Sequence, residues 1–411
     1  MIRRALQNTG WLMGARGINA VLSLVYLALA TRALGLEGFG QFVIAFTFAQ
    51  LVVGFTSFQT WQAVIRWGQD EDGRKSATGF ALALDATTII AGTAAAALIL
   101  RFAGNWLPIA PDLRLPTFLF TFVSLLAIRS TPTGLLRLHD EYARAAAADA
   151  TTSIMRAMGA AIVVATNPSI IAFLVVWGMA ELATAGMYWW LAARTEAIHW
   201  HRFGLARLPA SQKNAWSFVI GTSLTGMLTI SSRQLLVLLT GAIGGAALAG
   251  IYRVAAQLGE GLLKLAQALL RAVYPELVRN PEGAKALTAA ITRIAIVTGI
   301  AVVGVGMVAG EWIIVAIAGR EYLAAYWPMI ILAAAASLEL AGASLEALLV
   351  AKGRAITNFV LRAVPTLAAL IALPWLIDWR GATGAALVVL VASTVSVTGF
   401  VLATREEQAS L

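Results

Sequence analysis

The stretch ATRALGLEGFGQF, residues 30–42, interrupts an apolar run that otherwise extends over residues 11–64. It places three glycines, one arginine and one glutamate between two segments that are each long enough to cross a bilayer. Glycine suits a sharp reversal of the chain, and charged side chains belong at the membrane surface. We therefore expect an external turn that joins a first helix near 11–31 to a second near 40–65.

The composition is that of a membrane protein. Of the 411 residues, 59% are hydrophobic and 12% are charged, whereas a soluble domain has about 25% charged residues. Strands of alternating polarity are absent, so helices rather than a barrel are expected. The longest hydrophilic stretch, 194–213, is shorter than the smallest independent fold of about 40 residues. The sequence has no cysteine, which excludes disulfides and thiolate metal sites.

The apolar runs predict an all-α polytopic membrane protein. An even number of helices places both termini on one side of the membrane. The twelve predicted helices lie near 11–31, 40–65, 78–100, 115–136, 146–166, 169–193, 215–240, 246–272, 286–309, 323–350, 356–377 and 382–403.

Lysine and arginine are distributed unequally between the two sets of loops, and this asymmetry predicts the orientation. The loops on the side of the termini hold most of them, including Arg66, Arg74, Lys75, Arg137, Arg144, Arg207 and Lys213. The opposite loops hold only Arg32, Arg101, Arg114, Arg320 and Arg380. Both termini are therefore expected in the cytosol.

Motifs of soluble enzymes are absent from the sequence. There is no Walker loop, no HExxH and no Gly-x-Ser-x-Gly. The external loops are also too short to hold the catalytic groups of a membrane ligase or polymerase. We expect no enzyme activity, no cofactor, no metal and no nucleic-acid partner.

The opening stretch has a near copy, TGAIGGAALAGIY, at residues 240–252. A second pair of similar segments, LLRLHDEYAR at 135–144 and LLVAKGRA at 348–355, occurs at nearly the same offset. In the first comparison Gly35 is matched to Gly244, Gly40 to Gly250 and Phe42 to Tyr252.

These two pairs of similar segments predict an internal duplication into two six-helix bundles, residues 1–205 and 206–411. With six helices in each half, the second half enters the membrane from the same side, so the repeats are parallel. Two such bundles enclose a central cavity, and rocking one against the other gives alternating access. The architecture favours a transporter.

Several motifs resemble a known family in their order and spacing. They are Arg-x-Leu-Gly-x-x-x-x-Gly-x-Phe after the first helix and Gly-x-Tyr with Pro-Glu-Leu-x-Arg in and after the eighth. Here they are represented by Arg32, Leu34, Gly35, Gly40, Phe42, Gly250, Tyr252, Pro275, Glu276, Leu277 and Arg279. The chain thus resembles the Wzx-type polysaccharide flippases of the multidrug/oligosaccharidyl-lipid/polysaccharide exporter superfamily. It departs from the family pattern at Ser232 and Gln257, where members often carry an acidic and a basic residue.

The resemblance implies a function. Such flippases move undecaprenyl-diphosphate-linked oligosaccharides from the cytosolic to the outer leaflet during cell-surface polysaccharide synthesis. The implied setting is the bacterial inner membrane, and the implied partners are the bilayer, the polyprenyl-diphosphate-linked glycan and the polymerase or glycosyltransferases of its pathway. We expect a monomer.

Charged residues inside the predicted helices are costly, about 2.5–3.5 kcal/mol each at the bilayer centre, and so mark functional candidates. The cationic ones are Arg16, Arg129, Arg156, Arg233, Arg253, Lys264, Arg293 and Arg362. Guanidinium matches the oxygens of a diphosphate, and by the resemblance Arg16, Arg233 and Arg253 are the expected headgroup ligands. The alternative for these three is snorkelling to an interface. For Arg129, Arg156 and Arg362 we expect structural pairing with an acid.

The intramembrane acids offer sites for coupling to protons or sodium. They are Asp85, Asp149, Glu181, Glu260, Glu339 and Glu346. Glu260 shares a helical face with Arg253 and Lys264, either as a compensated stripe or as an ion-exchanging carboxylate. Glu339 and Glu346 are expected counter-ions of Arg129 or Arg362, with cation coupling as the alternative. Asp85 matches no motif and is a third coupling candidate.

A multidrug cation antiporter of the same superfamily is the alternative function. Its cargo is cationic and favours an acidic cavity, whereas this chain has an excess of intramembrane arginine and lysine. A membrane-embedded ligase or polymerase is a weaker alternative, since the external loops are short.

Overall fold

The computed structural model describes the backbone of residues 2–199, 202–278, 283–351 and 354–409. Side chains are described for residues 19–199, 202–224, 227, 230–261, 293, 295–343, 345, 346, 349, 354 and 356–404. Within these ranges the chain is helical and contains no strand, which confirms the all-α class.

Thirteen α-helices lie in the described chain, and most of them follow the apolar runs of the sequence. They are α1 (Ile2–Thr56), α2 (Thr60–Trp67), α3 (Glu71–Phe102), α4 (Arg114–Leu126), α5 (Ser130–Leu138), α6 (Tyr142–Thr166), α7 (Ile170–Thr195), α8 (Arg207–Ser211), α9 (Ala215–Val278), α10 (Gly283–Ile317), α11 (Tyr326–Ala351), α12 (Ala355–Arg380) and α13 (Ala382–Ala409). Short 3₁₀ turns precede α4 and α11, at Pro111–Leu113 and Arg320–Ala325.

Nine helical stretches of the described chain are long and apolar enough to cross a membrane. Two of them, Asn19–Trp67 and Ile230–Gly261, contain a non-helical glycine and so hold parts of more than one helix each. The polytopic membrane architecture expected from the sequence is confirmed.

Two glycines reverse the chain inside α1 and α9. Gly35 has φ 65° and ψ −175°, and Gly245 has φ 84° and ψ 171°. Residues with a Cβ rarely adopt this backbone conformation. The match of Gly35 to Gly244 is wrong by one residue, because the reversal falls on Gly245. The corrected pair has the same 210-residue offset as Gly40 with Gly250.

By compactness the chain divides into a first unit, residues 1–34 and 41–238, and a second unit, residues 35–40 and 239–411. The six-helix bundles 1–205 and 206–411 stay a prediction, because compactness groups residues by proximity and not by repeat.

The second unit includes the turn at 35–40, and glycine is required where that turn packs. A Cβ on Gly40 would overlap the carbonyl of Ala246, and one on Gly250 would lie 3.3 Å from the Gly40 Cα. The Tyr322 hydroxyl donates to the Gly35 carbonyl at 3.0 Å. The glycines of the two related turns thus allow close backbone packing, as small residues do in membranes.

Two predicted helices are interrupted. The second helix, expected as continuous over 40–65, is broken at residues 57–59, between α1 and α2. The fourth, expected over 115–136, is broken at residues 127–129, between α4 and α5. Both breaks belong to the first unit, and they position the candidate site.

Candidate functional site

The two helix breaks lie side by side in the first unit, and polar side chains satisfy their backbone groups. The Thr88 hydroxyl donates to the Thr56 carbonyl at 2.9 Å. The Ser130 hydroxyl accepts from the Trp61 backbone N–H at 3.1 Å and donates to the Phe58 carbonyl at 3.4 Å. Irregular backbone at membrane depth is tolerated only where protein or a water-filled cavity satisfies it. Such breaks mark binding sites in many transporters.

Asp85 joins the two breaks from the middle of α3. It is buried, with 6% of its surface exposed. Its carboxylate accepts from the Thr60 hydroxyl at 3.0 Å, from the Thr131 hydroxyl at 2.6 Å and from the Thr131 backbone N–H at 3.2 Å. Thr60 begins α2 and Thr131 lies in the first turn of α5. Asp85 is therefore the anion that holds the start of both half-helices, where the helix dipole favours negative charge.

Glu181 of α7 lies between two arginines. Its carboxylate accepts from Arg129 at 2.8 Å and from Arg156 at 2.7 Å. Arg129 is the residue that ends the second break, so the ion pairs connect the break to α6 and α7. We call Asp85, Arg129, Arg156, Glu181 and the two breaks the break polar layer.

Aromatic rings surround the Arg156 guanidinium. Its carbon lies 5.9 Å from the ring centre of Tyr26, 5.5 Å from that of Phe46 and 5.4 Å from that of Trp177. Contacts with ring faces stabilise a cation that has left water. Only 11% of the Arg156 side chain is exposed, so Glu181 and the rings replace part of its hydration, while its buried Nε has no hydrogen-bond partner among the described residues.

The second unit contains a more exposed charge cluster. Arg362 of α12 pairs with Glu346 at 2.7 Å and lies 3.8 Å from Glu339, both on α11. Asn358 donates to Glu346 at 3.3 Å, and Ser393 donates to Glu339 at 2.9 Å. The expected pairing of Arg129, Arg156 and Arg362 with acids is confirmed. The partner of Arg129 is Glu181. Of the two arginines predicted to pair with Glu339 and Glu346, only Arg362 does so.

The predicted headgroup ligands do not gather in one unit. Arg233 is exposed and belongs to the first unit, whereas Arg253 is half-buried and belongs to the second, together with half-buried Glu260. Arg233, Arg253 and Glu260 all interact with other groups of the protein. The Arg16 side chain lies outside the described residues, as does that of Lys264. Their roles as ligands or coupling residues stay predictions.

The sequence contained one signal for the breaks that the prediction of continuous helices missed. Ser130-Thr131-Pro132-Thr133 has hydroxyl residues followed by a proline in the first turn, a pattern typical of a helix start. The break at 57–59 has no such signal, and its partner Ser223, which accepts from the Gln59 backbone N–H at 3.0 Å, is distant in sequence.

Comparison with known proteins identifies the family of this chain. A sequence profile of the family described as "Polysaccharide biosynthesis protein" matches residues 5–280. The chain belongs to this family. It is 27% identical over 359 residues to the inner membrane protein YghQ of Escherichia coli K12, and the match covers 79% of this chain and 95% of that protein.

Solved transporters have the same fold as this polysaccharide biosynthesis family member. The MATE multidrug transporter DinF-BH matches with a TM-score of 0.68 at 16% identity, over 99% of this chain and 96% of that one. A MOP superfamily transporter from Pyrococcus furiosus matches with a TM-score of 0.59 at 16% identity, over 98% and 96%. Family and fold together support a transporter role in a membrane.

Proposed function

We propose that the protein is a flippase that moves a polyprenyl-diphosphate-linked oligosaccharide from the cytosolic to the outer leaflet of a bacterial inner membrane. The observation that carries the proposal is the match of residues 5–280 to the polysaccharide biosynthesis family. The fold of the solved transporters is consistent with movement by alternating access. On this proposal both termini are cytosolic and the protein works as a monomer.

The charge arrangement supports an anionic rather than a cationic cargo. A cationic drug needs a carboxylate that the protein has not already neutralised. Asp85 accepts three hydrogen bonds, Glu181 pairs with two arginines, and Glu339 and Glu346 are held by donors of α12 and α13. Glu260 also interacts within the protein. These acids are therefore poorly placed to bind an organic cation.

The headgroup ligands on this proposal are Arg16, Arg233 and Arg253, because a forked guanidinium matches diphosphate oxygens. The candidates for proton or sodium coupling on this proposal are Glu260, Glu339 and Asp85, as the sequence predicts. The glycosyltransferases that build the glycan and the polymerase that uses it are the proposed pathway partners.

The experiment is transport in liposomes. The protein is reconstituted with a fluorescent polyprenyl-diphosphate-linked glycan, and label that reaches the opposite leaflet is quenched by a membrane-impermeant reagent. We expect protein-dependent movement that Arg233→Ala and Arg253→Ala each reduce by at least about tenfold, since a charge-assisted hydrogen bond contributes roughly 1.5–3 kcal/mol. Arg101→Ala, an exposed arginine at the end of α3, is the control and should transport normally. Normal flux in both test variants removes these arginines as ligands.

A multidrug cation antiporter is the second candidate, because DinF-BH, a multidrug transporter, has the same fold. The discriminating assay loads the same liposomes with a fluorescent organic cation under an opposing proton or sodium gradient. Gradient-driven export of the cation, without movement of the glycan, would replace the flippase proposal with this one.

A further inference from the structure

Two kinds of partner recur among the arginines of the described chain, carboxylates and nearby aromatic rings. Those engaged by carboxylates are Arg74, Arg129, Arg144, Arg156, Arg202 and Arg362. Others rest on an aromatic ring close by in the same helix, as Arg194 does on Trp190 at 4.1 Å and Arg380 on Trp379 at 4.7 Å. Such local stacking needs no special explanation.

Arg137 differs from both groups, as does Arg66, whose guanidinium carbon lies 4.5 Å from the ring centre of Phe218 in α9. The Arg137 guanidinium carbon lies 4.4 Å from the ring centre of Trp61, which belongs to another helix. Among the residues that the structure describes, none forms an ion pair with Arg137 or accepts a hydrogen bond from it. A guanidinium on a ring face keeps its N–H groups pointing outward in its own plane, where they are free to donate.

The contacts of Trp61 extend this arrangement to the first helix break. The indole N–H donates to the Gln59 side-chain oxygen at 2.7 Å. This bond fixes the orientation of the amide. The Gln59 NH₂ group has no hydrogen-bond acceptor among the described residues. Gln59, Trp61 and Arg137 are all half-buried, so a ligand can reach them. We name these three residues the break-edge cluster.

The chemistry of the break-edge cluster suits an anion with several oxygens. It offers a fixed positive charge, in-plane guanidinium donors and an oriented amide NH₂, and no carboxylate of the described chain engages its arginine. Arg137 lies in the last turn of α5, at the end of a predicted membrane helix that faces the cytosol. A phosphate of a lipid in the cytosolic leaflet reaches this depth, and forked guanidinium contacts are strong with phosphate.

We propose that the break-edge cluster binds the phosphate group of a membrane lipid, with Arg137 as its main ligand. The inference rests on the proposed function for one source of that phosphate, the diphosphate of the lipid-linked glycan. The headgroup of an anionic phospholipid is the other source, and the test separates the two.

The test uses the absence of cysteine from the chain. Ser57→Cys places a single thiol at the half-buried break beside the cluster without altering it. The full-length variant in detergent is labelled with a methanethiosulfonate reagent in the presence of geranylgeranyl diphosphate, phosphatidylglycerol or geranylgeraniol. Gln62→Cys, also half-buried, is a second reporter if the first fails to fold.

We expect geranylgeranyl diphosphate to slow labelling about tenfold, whereas the uncharged alcohol has no effect. Arg137→Gln should abolish the protection, and Arg137→Lys should restore only part of it because lysine lacks the forked geometry. Arg194→Gln, a control arginine that also rests on a ring, should leave protection unchanged. Protection by the diphosphate alone identifies the carrier lipid, and equal protection by phosphatidylglycerol identifies a headgroup site.

Three results would overturn the proposal. They are equal protection by the alcohol, protection that survives Arg137→Gln, and thiols at 57 and 62 that do not react at all. The readout is binding and not transport. Arg137-dependent protection in a protein that does not move the glycan would contradict the flippase proposal and support the phosphate site. Movement of the glycan without such protection would support the flippase proposal and contradict the phosphate site.

Discussion

Replacing Glu181 by glutamine removes the carboxylate that forms ion pairs with two arginines of the break polar layer. Only 12% of the Glu181 side chain and 11% of the Arg156 side chain are exposed. Removing one partner of a buried pair costs about 3–5 kcal/mol, because the remaining charge is left uncompensated. Arg129 is 32% exposed and can recover some hydration, so we expect the lower end, about 3 kcal/mol.

That loss is measurable as a fall in melting temperature. For soluble domains of 150–250 residues, about 1 kcal/mol corresponds to roughly 2–4 °C, so Glu181→Gln should melt about 6–12 °C below the parent. The measurement is thermal unfolding of the purified protein in detergent, followed by the fraction that stays monodisperse. Adding Arg156→Gln to Glu181→Gln should recover part of the loss, since the two changes are coupled.

The matched control is Glu71→Gln. Glu71 pairs with Lys75 one turn along α3, and 72% of its side chain is exposed. Exposed pairs of this kind contribute less than about 1 kcal/mol. If Glu181→Gln lowers the melting temperature no more than Glu71→Gln does, the charges of the break polar layer do not stabilise the fold, and the reasoning is refuted.

Three further stability predictions use the same assay. Asp85→Asn should cost about 1–3 kcal/mol, because its amide NH₂ would face the threonine donors that now bond the carboxylate; a neutral result would mean that Asp85 does not hold the breaks. Gly35→Ala and Gly245→Ala should each cost about 1–3 kcal/mol from backbone strain. Gly186→Ala, in open space within α7, should stabilise slightly because alanine favours a helix, and equal effects at the three positions would count against the reversals. Arg362→Gln should lower the melting temperature less than Glu181→Gln does, because 41% of the Arg362 side chain is exposed; a larger fall would contradict the ranking.

Much of the fold was predictable from the sequence because hydrophobic runs and glycine turns are local signals. The repeat identified both reversals, with an error of one residue at Gly245. The pairing of Arg129, Arg156 and Arg362 with acids was also predictable, since an intramembrane charge rarely persists without a partner. The choice of partner was harder, because it depends on which helices are neighbours.

The break polar layer shows where sequence reasoning fails. The break at 57–59 contains no proline or glycine, and what stabilises it comes from Thr88, Ser130 and Ser223, which are separated from it by 32 to 164 positions. No local pattern predicts such contacts. Asp85 was named as a coupling candidate only because it is a charge inside a helix. Its contacts with Thr60 and Thr131 favour a structural role that the sequence did not suggest.

The central claim is that the cargo is a lipid-linked glycan, and one measurement tests it most directly. The initial rates of transfer of a fluorescent polyprenyl-diphosphate glycan and of a fluorescent organic cation are compared in the same proteoliposomes, against liposomes without protein. The account predicts protein-dependent transfer of the glycan and a rate for the cation equal to that of the empty liposomes. Protein-dependent movement of the cation, with the glycan remaining in its leaflet, would contradict it.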